Sequence, residues 1–129
     1  SPNHPVKSSL AGQTAKELCD AYTAGTGRPW TQPIGFAHAL FEIAFDVIKR
    51  SKDLNDPEAI LAALGETQLD TIIGPISWKG GPNNPVKNVC KTPLVGGQWT
   101  KTDKGLELII TNNPQAPNIP VGGKLRTLA

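Results

Sequence analysis

The chain has 129 residues, enough for one small domain, with 13 basic and 11 acidic side chains and a formal net charge of +2. No basic stripe accompanies that small surplus, which argues against a nucleic-acid partner. The 13 glycines and 12 prolines argue for many loops and against an all-helical bundle.

The longest apolar run, residues 39–45, already contains Glu42, so no segment has the composition to span a bilayer. The chain opens without Met and without a charged and then apolar leader. It reads as cut from a longer precursor, so the missing signal peptide carries no information about compartment.

Residues 1–12, with two prolines and several small polar residues, read as an irregular lead-in. Thr14 and Glu17 then form a capping-box pattern, and Ala11, Ala15, Leu18 and Tyr22 repeat at helical spacing with Cys19 on the same side. Gly25 and Gly27 supply the stop. A second helix starts at Pro33, with Thr31 or Gln32 as its cap, and runs to Arg50. Ile34, Ala37, Leu40, Phe41, Ala44, Phe45, Val47 and Ile48 make it apolar around most of its circumference. His38, Glu42, Asp46, Lys49 and Arg50 form a narrow polar stripe that favours local ion pairs. So broad an apolar face predicts burial against more than one neighbour.

A third helix begins at Asp56-Pro57-Glu58, buries Ile60, Leu61 and Leu64, and ends at Gly65. Leu69, Ile72 and Ile73 predict a short strand before Gly74-Pro75. Residues 79–85 read as loop. Residues 94–100 and 106–112 read as strands, joined by turn-forming residues 101–105. Gly96-Gly97 inside the first of them marks a bulge or a close backbone approach. Residues 113–129, with Pro114, Pro117 and Pro120, predict an extended tail. Cys19 and Cys90 match no metal knuckle. They permit one disulfide, or leave Cys19 a buried thiol on its helix.

Three passages, taken in order, resemble the C-terminal part of a type I periplasmic solute-binding protein of ABC importers. The first is GTGRPWTQPIGFAHALFEIAFDVIKRS, residues 25–51, similar to the family's long helix. The second is DPEAILAALGETQLDTIIGPISW, residues 56–78, similar to its helix, short strand and Gly-Pro passage. The third is TPLVGGQWTKTDKGLELIITNN, residues 92–113, similar to its closing strands. The subgroup most alike is that of the branched-chain amino acid and aromatic-acid receptors.

The resemblance implies an α/β fold: three helices, a short strand and a β-hairpin, forming the C-terminal fragment of a two-lobe binding protein. Residues 1–75 would then belong to a helical segment of the first lobe. Residues 76–129 would carry the hinge crossing, which Gly74-Pro75 and Ile76 would mark, the closing strands and the tail. It implies a small amino acid or an aromatic or carboxylic acid as solute, a membrane permease as partner and a periplasmic or extracellular, membrane-associated location. The family's N-terminal half, which holds the contacts to the solute carboxylate, has no counterpart here. The fragment is therefore expected to associate with itself or with that half.

The resemblance also places Trp30, Gln32 and Phe36 near the solute cleft. An aromatic with nearby amide and hydroxyl groups suits a small amphipathic ligand, while core packing is the alternative for Trp30 and Phe36. His38 and Glu42, four apart, offer a metal only two ligands where zinc needs three or four. The sequence holds no nucleophile elbow, phosphate loop or paired carboxylates. The expectation is a binding protein without cofactor or metal, and not an enzyme.

Overall fold

The computed structural model describes residue 2, residues 4–80, residue 86 and residues 88–127. The elements run α1 (Ala15–Thr26), α2 (Pro33–Arg50), α3 (Pro57–Gly65), β1 (Gln68–Thr71), β2 (Gly74–Ser77), β3 (Gly96–Thr102) and β4 (Gly105–Asn112). This is a small α/β fold with three helices and two two-stranded antiparallel sheets, β1-β2 and β3-β4. It divides into two compact units, Ser1–Thr92 and Pro93–Ala129. Pro75 and Ile76, on either side of the boundary read from the sequence, both lie in β2 of the β1–β2 hairpin. The expected loop 79–85 lies, from residue 81 onward, outside the described residues.

In the first unit the helix ends follow local chemistry. Thr14 and Glu17 form the full capping box on α1: each backbone N–H is met by the other residue's side chain. The helix passes through Gly25 and stops at Gly27, whose φ of 66° is the left-handed cap conformation that glycine adopts without strain. Pro33 opens α2, with Gln32 in the cap position but making no side-chain cap bond. The Asp56 carboxylate accepts the Glu58 N–H at the start of α3. At the far end of α2, Arg50 bonds Asp46 at i−4, the Ala63 carbonyl and Thr67 Oγ1, clamping α2 to the end of α3.

The α2 helix sits the other way round from the sequence expectation. Its buried residues are Ala39, Glu42 and Val47. Phe36, Leu40, Phe41, Phe45 and Ile48 are exposed, Leu40 at 68% and Phe41 at 64%. The first unit's core sets the small residues Ala15 and Ala39 against Ile72, with Leu18 and Ile73 packed against them. A Cβ on Gly35 would stand 3.2 Å from the Ile73 side chain. This inner face of α2 is thus matched to the β1–β2 turn by small size, which the wide Phe/Leu arc could not do. The α3 helix differs in the same way. Ala63 is buried, Leu64 half-buried, and Ile60 and Leu61 are exposed.

Ile72 and Ile73, expected in a strand, form the turn of the β1–β2 hairpin. Gly74-Pro75 lies in β2, paired with Thr71 and Asp70 of β1. Pro can stand in such a sheet where the N–H of its position would point away from the partner strand and carry no ladder bond. Gly74 takes a φ of 108°, open to glycine and strained for other residues.

The second unit is the β3–β4 hairpin and the chain that returns over it. A two-residue turn, Asp103-Lys104, joins the strands, with Gly105 at φ 107°. The register shifts between Gly96 and Gly97, as the glycine pair leads one to expect. Residues 113–123 are not an extended tail. Asn113 Nδ2 donates to the Ile119 carbonyl at 2.6 Å, which closes a loop that buries Ala116 and Ile119 against Ile110. The Gly122 N–H then bonds the Ile110 carbonyl. Further on, the Gln98 amide both donates to the Arg126 carbonyl and accepts its N–H.

Candidate functional site

The first unit concentrates its polar side chains beneath α2. Glu42 is only 1% exposed, yet its carboxylate is fully engaged. Oε1 accepts the Ser9 N–H at 2.6 Å and the Ser9 hydroxyl at 2.9 Å, and Oε2 accepts the Ile72 N–H at 2.9 Å. One carboxylate therefore joins the lead-in segment, α2 and the β1–β2 turn. Charge-assisted bonds of this kind offset the cost of removing an ionised group from water.

Beside it, Ser8 Oγ and His38 Nε2 share a hydrogen bond of 2.7 Å, and Ser8 Oγ also accepts the Leu10 N–H. His4 Nε2 reaches the Ile73 carbonyl at 3.3 Å, while its Nδ1 is buried without a partner. Burial pushes the His4 imidazole below its ordinary pKa, and the bond to Ile73 opposes this only in part.

A hydroxyl bonded to an imidazole is the pair that activates a nucleophile. Here Ser8 is itself buried, its oxygen is taken up by Leu10, and both Glu42 oxygens are bonded to Ser9 and Ile72 rather than to the imidazole. The arrangement docks the lead-in segment and aims no nucleophile at solvent. His38 and Glu42, four apart on one helix, make these two separate attachments. As a metal pair they gain no third ligand among the described residues. Cys19 and Cys90 are both free, and burial raises the Cys19 thiol above its usual pKa.

The three residues expected at a solute cleft lie at the start of α2. Trp30 is half-buried just ahead of the helix, Gln32 occupies the cap position with its side chain exposed, and Phe36 is 39% exposed. Phe36 and Leu40, four residues apart, share the outer face. His38 and Glu42 belong to the inner one. Sequence reasoning did not single out Ser8, Ser9 or His4. The available signal was Glu42, a single carboxylate inside an apolar run, which in a helix means either solvent exposure or a set of donors supplied from elsewhere in the chain. No protein family, curated protein or solved structure matches this chain.

Proposed function

We propose that the chain is the C-terminal part of a two-lobe solute receptor for an ABC importer, binding a small amino acid or an aromatic or carboxylic acid in a periplasmic or similar extracytoplasmic space. The observation that carries this reading is the orientation of α2. Its inner face is complete, while its apolar outer half, from Phe36 to Ile48, is exposed and left for another layer. A two-layer lobe would supply that layer. Trp30 and Phe36 would then border the cleft, with Gln32 adding a directional hydrogen bond. Ligand closing such a cleft stabilises the closed state by its differential affinity for it, and the closed form is what a permease would read.

Titration calorimetry tests the reading. Branched-chain and aromatic amino acids are titrated into the 129-residue chain alone, and into the same chain expressed with the in-frame coding sequence upstream of it. The expected result is no heat of binding for the chain alone and saturable binding of one solute class by the longer protein. In the longer protein, Trp30→Ala or Phe36→Ala should weaken binding at least tenfold, with little change in melting temperature. Loss of stability by about 3–5 kcal/mol, the cost of a core aromatic, with affinity retained in a conservative aromatic variant, would overturn the site assignment. The same exposed face also favours a second reading, a structural module that binds no solute and works through contact with another protein surface.

A further inference from the structure

The outer face of α2 is more ordered than a generic apolar patch. Ala37, Phe41, Ala44 and Ile48 follow one another at spacings of four, three and four. All four are exposed. On a helix that spacing forms a single seam, the pattern by which helices interlock side chains. Leu40 and Phe45 flank the seam on opposite sides, and both are exposed. None of these six residues is charged or polar. The polar residues of α2 either face inward or lie at its C-terminal end, where Lys49 and Arg50 stand.

The seam alternates small with large. In an antiparallel pair centred between Phe41 and Ala44, Phe41 of each copy lies opposite Ala44 of the other, and Ala37 opposite Ile48. Each large side chain then meets a recess, and the alanines let the axes approach closely. A parallel pair would align the two helix dipoles and bring both Lys49 ammonium groups to one end. An antiparallel pair places Lys49 and Arg50 beside the partner's uncharged first turn.

With about 200 Å² for a fully exposed aromatic, the exposures of Phe36, Leu40, Phe41, Phe45 and Ile48 leave roughly 500 Å² open per copy. Full burial of that area in both copies would come to about 1,000 Å², the lower bound for a specific interface. We infer that this seam is a pairing site for a second copy of the chain, used as an antiparallel two-fold α2–α2 contact. The contact is modest in area, at the small end of specific interfaces. A lobe layer packed on α2 and a second copy would compete for this one face, so the inference concerns the 129-residue chain and stands or falls apart from solute binding by a longer protein.

The test is sedimentation equilibrium of the 129-residue chain from 5 to about 200 micromolar, a range chosen to bracket a weak interface of this size. A concentration-dependent shift from monomer to dimer is expected, abolished by Phe41→Glu with the helical circular dichroism unchanged. In a Cys90→Ala background, Ala44→Cys should form an intermolecular disulfide under mild oxidation, while Ala21→Cys on the exposed side of α1 should not. A monomer throughout the range would overturn the inference. So would a dimer unaffected by Phe41→Glu, or equal cross-linking at positions 21 and 44. Solute binding by a longer protein would leave these outcomes unchanged, so failure of one reading is distinguishable from failure of the other.

Discussion

At the scale of single residues, Glu42 ties three segments of the first unit together. Its carboxylate is the acceptor for Ser9 and Ile72, which belong to segments 33 and 30 residues away in sequence. Glu42→Ala strands two backbone donors, at about 1–3 kcal/mol each. We expect urea unfolding to show a loss of about 3 kcal/mol, a large share of a small domain's stability. Glu42→Gln should recover only part, because an amide nitrogen would face a donor. His4 gives the unit a pH dependence. Its folded pKa lies below the ordinary 6.5 because of burial, so the unfolded chain takes up the proton first as pH falls. The stabilising contribution is complete above 6.5 and is lost as pH falls from there through the lowered folded value. Denaturation midpoints between pH 7.5 and 5 should therefore decline, and the decline should flatten in His4→Gln.

At the scale of elements, the helix boundaries rest on local chemistry and the hairpins on close approach. Thr14→Ala removes one half of the α1 capping box and should lower stability by about 1 kcal/mol, measured by thermal melting. Gly97 at the β3 bulge is the sharper case. A Cβ there would stand 3.0 Å from Leu108 Cδ1 and 3.1 Å from the Ile109 carbonyl oxygen. The carbonyl belongs to the paired strand and cannot swing aside, so Gly97→Ala should cost about 1–3 kcal/mol. Hydrogen exchange should show that cost in faster exchange of β3 and β4 amides. The tail illustrates an element that propensity misreads. Its prolines suggest an extended segment, but Asn113 and the buried pair Ala116 and Ile119 fold it back over Ile110.

At the scale of the whole chain, the dominant feature is an α2 helix finished on one side only. Replacing Leu40 or Phe45 with a polar residue should change the monomer's stability by less than about 0.5 kcal/mol, as at ordinary surface sites. Val47→Ala, on the buried side, should cost about 1–3 kcal/mol through lost burial and the space left behind. The contrast, read by urea unfolding at low protein concentration, checks the assignment of inner and outer faces directly. Reversed magnitudes would mean that the helix is turned as its hydrophobicity alone suggests.

Sequence by itself determined whatever depends on neighbours a few residues apart. The Thr14–Glu17 box, Pro33 and Pro57 in first turns, the Gly27 cap, the Asp46–Arg50 pair and the glycine-marked bulge are all local, and local chemistry decides them. Trp30, Gln32 and Phe36 were nameable as candidates at the start of α2, but their surroundings depend on what lies across from them. Only the tertiary structure decided which side of α2 is buried. Periodicity measures how apolar an arc is, and it weighs Leu and Phe above Ala and Glu. Packing instead asks what fits against the Ile72-Ile73 turn and who can satisfy a carboxylate. Small Ala39 and the donors of Ser9 and Ile72 met those demands, and the strongly apolar arc was left facing outward.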